Sequence, residues 1–388
     1  MKSSLFVFIL SITYISLLQA QFSTNVELSS YNDDNLFRTP DSTTEDILSD
    51  VGVRLGYRLP DSYINIYYDG TFFVYNNLSE RNFSVHDIGF SNSKVFGKDD
   101  AHTIYMGAEY TIRSNTDTYN YYDYTQVYAY ANLRLDLNYL FLKGGYNFRY
   151  RDYANVPDLT NYRHFLFLQL NKSFETRTSV ILEADFGLKS FAGQQIFTDS
   201  TRVTSGNGRR SSSSIQTSSS VSEIPSLSQA VILARVAQSL HDRIGIYVQY
   251  RKQISLTDET IYQNTDSYYQ DEELFDDPFS YESTSYSSQL TWIMPWVMKL
   301  QVGGALVSKS YISEQAYESE IDSVGLAGNR KDDRFYYYLN FSKTFHTNKR
   351  WLRTVVFSFN YNIVRNESNS YWYNFENSIL GGGLQLKF

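Results

Sequence analysis

Along the chain, apolar side chains recur at every second position in one block after another. In the block TQVYAYANLRLDL, Thr125, Val127, Ala129, Ala131, Leu133, Leu135 and Leu137 share one parity. Gln126, Tyr128, Tyr130, Asn132, Arg134 and Asp136 share the other. A strand puts successive side chains on opposite faces, so this spacing predicts one greasy and one polar side. The next block sets Leu140, Leu142, Tyr146, Phe148 and Tyr150 against Lys143, Asn147, Arg149 and Arg151. Val180, Leu182, Ala184, Phe186 and Leu188 are likewise set against Glu183, Asp185 and Lys189. The pattern predicts sixteen strands, over 22–31, 45–58, 62–75, 81–96, 101–114, 123–137, 140–152, 160–173, 176–190, 226–239, 242–256, 279–293, 297–312, 330–345, 351–366 and 371–388.

The connections alternate in length. Tight ones fall near Pro60, Asp99, Asn138, Glu175, Asp242, Pro295 and Asn348. Longer ones fall at 32–44, 115–122, 153–159, 191–225, 257–278 and 313–329, with two short members of the same series at 76–80 and 367–370. A soluble sandwich gives no reason for this alternation, whereas a transmembrane barrel has short periplasmic turns and long extracellular loops. The expected fold is therefore all-β, a closed antiparallel transmembrane β-barrel of about sixteen strands. With an even strand number, both termini lie on the periplasmic side.

The first twenty residues carry one charge, at Lys2, then an apolar run from Leu5 to Leu18 and a small residue at Ala20. That layout is expected to be a secretory signal peptide cleaved after Ala20, leaving 21–388 as the barrel. The chain has no cysteine, so disulfides, thiolate ligands and a thiol nucleophile are excluded. Its 34 Lys and Arg against 42 Asp and Glu, a formal charge of −8, argue against a nucleic-acid partner. The 35 tyrosines and 26 phenylalanines suit the aromatic girdles of a membrane barrel. Tyr119, Tyr121, Tyr122 and Tyr124, and Tyr371, Trp372 and Tyr373, are expected in the outer one.

The chain ends LGGGLQLKF. Leu380, Leu384, Leu386 and Phe388 share the lipid-facing parity with Gly382, and Gln385 and Lys387 face inward. This tail resembles the terminal strand of Gram-negative outer-membrane β-barrel proteins, porin-like proteins among them. The resemblance implies that those four residues are an assembly signal read by the barrel-assembly machinery. It is confined to the last nine positions and the signal peptide. It also implies a location in the bacterial outer membrane, among membrane lipids and lipopolysaccharide, and this barrel size, which resembles that of general porins, admits a homo-trimer.

Parity assigns an inward, pore-lining set of both signs: Arg113, Arg134, Lys143, Arg149, Arg151, Arg235 and Arg251 are basic, and Asp69, Glu109, Asp136, Glu183 and Asp185 are acidic. A two-residue turn at Asn138 places Arg134 opposite Lys143, a repulsive pairing that Asp136 and Glu183 offset in part. Solvated lumen charge is one reading of the set. The sharper one is a constriction in which a basic wall on the fifth to seventh strands faces acidic residues. The 191–225 segment, with Arg209, Arg210 and serines at 211–214, reads as a flexible extracellular or lumen loop. Asp271, Glu272, Glu273, Asp276 and Asp277 read as a solvated acidic run outside the cell.

No metal-ligand spacing, serine elbow or phosphate-cradling loop occurs, so neither an enzyme nor a cofactor is expected. Ser84 and His86, two apart on one face, leave an outer-membrane phospholipase as a minor alternative; the known ones are smaller barrels with the His before the Ser. The expected function is a porin-like channel for passive diffusion of small hydrophilic solutes. A non-conducting structural or surface-interaction barrel is the alternative.

Overall fold

The computed structural model describes residues 21–388 apart from 42, 61, 193, 206–211, 224–225, 258–276, 323–324, 326 and 350, with backbone alone at 194–205, 212–223 and 348. Residues 1–20, expected as a signal peptide, Arg209 and Arg210, and four of the five acidic residues at 271–277 lie outside the described residues.

Among the described residues there are eighteen strands: β1 Phe22–Asp33, β2 Asp46–Arg58, β3 Ile64–Tyr75, β4 Phe83–Phe96, β5 His102–Asn115, β6 Tyr124–Asp136, β7 Phe141–Asp152, β8 Asn161–Ser173, β9 Thr178–Phe191, β10 Gln194–Ser205, β11 Ser212–Glu223, β12 Leu227–His241, β13 Ile244–Ser255, β14 Tyr281–Met294, β15 Met298–Gln315, β16 Asn329–Lys349, β17 Leu352–Ser368 and β18 Phe375–Lys387. Sixteen of them close into one antiparallel barrel in chain order, with β9 beside β12 and β18 beside β1. All sixteen predicted strands are barrel strands, and the loop alternation holds around the ring. Within the 191–225 segment, read from composition as a flexible loop, β10 and β11 pair as a separate two-stranded sheet, Gln194 opposite Glu223 through Ser205 opposite Ser212. Backbone pairing overrides a serine-rich composition that reads as flexible.

Register explains which side chains face where. Leu28 sits opposite Leu384 and Val51, and Val51 opposite Phe72, so the apolar parity of each strand continues into the next. This face carries large, half-exposed aliphatic and aromatic side chains, among them Leu166, Leu168, Leu182, Ile232, Val248 and Phe357. It is the convex, lipid-facing side expected of a membrane barrel. The seam is complete: Val26 pairs with Leu386, Ser30 with Gly382, and the Phe388 amide donates to the Thr24 carbonyl at 2.9 Å.

The rows of partners climb. Starting from Arg58 at the short-turn end of β2, they run through Asn65, Ser91, Gly107, Tyr130, Asn147, Phe165, Gly187 and Gln229 to Ser255 at the long-loop end of β13. Such a stagger is what tilts strands in a closed barrel.

Tight turns take left-handed backbone at Asn138 (φ 66°), Arg177 (φ 61°), Trp296 (φ 59°) and Val297 (φ 56°). A β-branched residue there, as at Val297, is strained. Beside the Arg177 turn, the guanidinium bonded at 2.5 Å to Asp242 holds that carboxyl below the usual carboxylate range.

At the opposite end the loops lock together. Arg81 is fully buried between the Phe37 ring (4.8 Å) and the Tyr119 ring (5.0 Å). Asn155 Nδ2 donates to the Asn120 carbonyl at 2.7 Å, and the Tyr371 amide to the Tyr317 carbonyl at 2.7 Å. Tyr371 also donates its hydroxyl to the Asp41 carboxylate; that bond, with some burial and the nearby charge, pushes the phenol up to about 12. Tyr122 and Tyr373, expected in the outer girdle, are instead buried beneath this rim, because short helical turns at 117–122 and 371–373 fold them inward.

A second fully enclosed charge of the rim is Arg330, whose side chain is 0% exposed. It donates from Nη1 to Glu314 at 2.9 Å and from Nε to Asp332 at 2.9 Å, and its guanidinium carbon lies 4.1 Å from the Tyr311 ring and 3.3 Å from that of Tyr373.

Candidate functional site

The concave face of the barrel is polar, and every sequence-predicted lining residue lies on it by register. Thr103 faces Arg134 and Arg134 faces Lys143; Glu109 faces Tyr128, and Tyr128 faces Arg149; Arg235 faces Gln249, and Arg251 faces Ser285. The same parity adds Glu27, Asp50, Asp87, Arg163 and Lys189, charged residues outside the predicted set.

Their depth differs. Arg113 and Arg151, near the long-loop ends of β5 and β7, are 5% and 8% exposed and belong to the wall more than to the lumen. Arg113 lies 4.3 Å from the Phe83 ring. Arg151 lies 4.1 Å from that of Tyr124, with Nε donating to Gln126 at 3.0 Å and Nη1 to the Tyr153 hydroxyl at 3.1 Å. Arg149 donates to Asn161 at 3.3 Å. With Arg163, Tyr128, Asn147 and Phe165 it lines a recess of about 210 Å³.

At the other end, Arg134 and Lys143 do stand opposite each other. The carboxylates expected to offset them are turned elsewhere: Asp136 accepts from the Asn138 amide at 3.0 Å, and Glu183 from Gln169. The face of the Phe141 ring, 4.5 Å from the Arg134 guanidinium, supplies an attraction that the sequence did not disclose.

The acids form an arc. Glu27, Asp50, Asp69, Asp87 and Glu109 fall on the five consecutive strands β1 to β5. Arg54 pairs with Asp69 at 2.9 Å, and the Tyr67 hydroxyl donates to Glu109 at 2.8 Å.

In a closed ring of sixteen, the wall opposite any strand is eight strands away. The acidic strands β2 and β3 thus face β12 and β13, which carry Arg235 and Arg251. The basic strands β5 to β7 face β15 to β17, whose central inward residues are Gln301, Gly303, Tyr336, Tyr338, Asn340, Asn360 and Asn362. The expected opposition of a basic wall on the fifth to seventh strands to acids therefore does not hold; an uncharged wall stands there.

One loop segment reaches into the lumen. Asp277, read as part of a solvated run, is paired at 2.5 Å with Lys189, whose side chain is 5% exposed. The short turn Pro278–Ser280 follows, and Gln253 Nε2 donates to the carbonyls of Pro278 and, at 2.9 Å, Tyr281. Phe279 is 2% exposed and packs on Gly187, where an added Cβ would sit 3.0 Å from its ring. The Arg163 guanidinium lies 5.5 Å from the same ring.

His86 and Ser84 face the lipid side, where the His86 Nδ1 is hydrogen-bonded at 2.8 Å to the Tyr68 hydroxyl. His164 makes the same bond to Tyr146 at 2.7 Å. The recurrence shows a way of satisfying a polar ring on this face. Among the described residues no cluster of histidines and carboxylates suits a metal ion.

No protein-family model matches the chain, and no curated protein is detectably similar in sequence. Solved structures with a similar fold include the outer membrane protein OpdK of Pseudomonas aeruginosa, at 12% identity and a TM-score of 0.49, covering 95% of this chain and 99% of that one. OccK8 (OprE) of the same organism has 10% identity and a TM-score of 0.49, covering 95% and 98%. OmpT of Vibrio cholerae has 12% identity and a TM-score of 0.41, covering 95% and 97%. At these identities the likeness concerns the fold alone; by its own strand order the chain is a closed sixteen-stranded antiparallel barrel.

Proposed function

We propose that this protein is a bacterial outer-membrane channel for passive diffusion of small hydrophilic solutes, exported by residues 1–20 and inserted with its long loops outside the cell. The observation that carries this reading is the inversion of the barrel's two faces. Aliphatic and aromatic side chains cover the convex side, and charged, amide and hydroxyl side chains line the concave side. That arrangement suits a wall between lipid and water. A barrel of this strand number encloses a water-filled lumen unless something fills it, and the Asp277–Ser280 segment lies along one wall.

In this reading Asp69, Glu109, Arg235 and Arg251 set the field across the lumen, and the locked rim sets access. Leu380, Leu384, Leu386 and Phe388, on the lipid side of the closing strand, serve as the assembly signal. The test is conductance of the refolded mature chain in planar bilayers. Reproducible current steps with a measurable ion selectivity are expected. A correctly folded barrel that never conducts would sink the channel and leave the surface-interaction barrel in its place.

A further inference from the structure

The uncharged wall is chemically distinct from the rest of the lumen. On β14, β16 and β17 the central inward positions carry hydroxyls, amides and tyrosine rings: Ser285, Ser287 and Gln289 on β14, Tyr336, Tyr338 and Asn340 on β16, and Asn360 and Asn362 on β17. Charges on β15 and β16 are kept to their ends, as with Lys299, Lys309 and Arg334.

The rings are fixed. Tyr338 leaves β16, passes over Gly303 of β15 and donates its hydroxyl to Gln289 Oε1 on β14 at 2.6 Å. Gly303 is required, because a Cβ there would run into the Tyr338 ring. A ring that spans from β16 to β14 across a glycine lies along the wall, with one face on backbone and the other toward the lumen. Tyr336 is held alongside, its hydroxyl donating to Asn362 Oδ1 at 3.0 Å, and the two ring centroids are 5.5 Å apart. Gln289 Nε2 donates to Thr291 at 2.8 Å, so the amides are oriented as firmly as the rings.

Two adjacent, preorganised aromatic rings bordered by amides and hydroxyls, with Arg334 two residues along β16 and Arg235 of β12 as the charges beside them, are suited to one ligand chemistry. An apolar ring face takes the C–H face of a sugar, and amides take its hydroxyls in either sense of hydrogen bond. A cationic solute finds no carboxylate among the central residues of this wall, and a purely apolar one leaves the amides unmatched. We propose that the Tyr336–Tyr338 wall is a binding track for neutral polyhydroxylated solutes, a short oligosaccharide being the fitting class. This rests on the channel reading and names a solute class for it.

The test is block of single-channel current by maltohexaose, with polyethylene glycol of similar size as the control. Concentration-dependent interruptions are expected with the sugar and none with the glycol. Tyr338→Ala should weaken the block about tenfold, the worth of one ring contact. Tyr338→Phe, which keeps the ring, should retain most of it, and Arg365→Ala, on the outward face of β17, should leave it unchanged. A conducting barrel that ignores the sugar, is blocked equally by both probes, or is blocked equally with and without the Tyr338 ring overturns this inference and leaves the channel standing. A barrel that never conducts overturns the channel reading, and the inference with it.

Discussion

Replacing Arg330 by alanine should destabilise the barrel more than removing any exposed arginine. The guanidinium is wholly buried with Glu314 and Asp332, whose side chains are 5% and 0% exposed. Its loss leaves two carboxylates out of water without their cation, and breaking a buried pair in this way costs about 3–5 kcal/mol. The faces of Tyr311 and Tyr373 would lose their cation as well, an overlapping contribution of about 1–2 kcal/mol that is not simply additive. The control is Arg365, paired with Glu367 at 2.8 Å but with its side chain 61% exposed; Arg365→Ala should cost less than about 1 kcal/mol. The assay is urea unfolding of the barrel in detergent micelles, followed by tryptophan fluorescence, in which Trp372, next to Tyr373, reports on the rim. Arg330→Met combined with Glu314→Gln and Asp332→Asn should recover most of the loss, since no charge is then stranded. An Arg330→Ala barrel within about 1 kcal/mol of the parent would refute the reasoning, because the site would have to be wet or able to rearrange freely.

Val297→Gly should raise stability by about 1 kcal/mol in the same assay, since a left-handed β-branched residue costs more than the added freedom of glycine; a loss would mean that the Val297 side chain makes a compensating contact. Reversing Arg134 and Lys143 together to glutamate should shift the reversal potential in a salt gradient toward cation selectivity; an unchanged potential would place these groups off the ion path. Tyr371 is raised in the folded state, so the stability from its bond to Asp41 is fully present below the ordinary phenol value of about 10 and is lost as pH rises through about 12. Tyr371→Phe should flatten unfolding midpoints measured across that alkaline window, and an unaltered profile would count against the bond.

The barrel was legible because each strand has one face in lipid and one in water, which writes period two into the chain, as at Val127, Ala129 and Leu133 against Tyr128, Tyr130 and Arg134. By the same parity the residues expected to line the lumen share the concave face. Depth and partners were not legible. That Arg113 is sealed against Phe83, or that Arg134 has Phe141 beneath it, depends on stagger and on neighbours that local alternation does not encode. The β10–β11 pair escaped because Ser212–Glu223 has few apolar side chains to mark a period. Asp277 looked like one more solvated acid because its partner, Lys189, is distant in sequence. The opposition of walls needed the strand order of a closed ring.

The seam between β1 and β18 bears on how the molecule reaches its folded state. Leu28 and Leu384 meet across nearly the whole chain, so this ladder has the greatest contact order in the molecule and the largest loop-closure entropy. The other barrel ladders join strands consecutive in the sheet and close far shorter loops. Closure is therefore the natural final event, and until it occurs both terminal strands present unpaired edges beside an apolar surface. Such an intermediate is an aggregation hazard in water, and it requires either a membrane or an escort to shield those edges until the ring is shut.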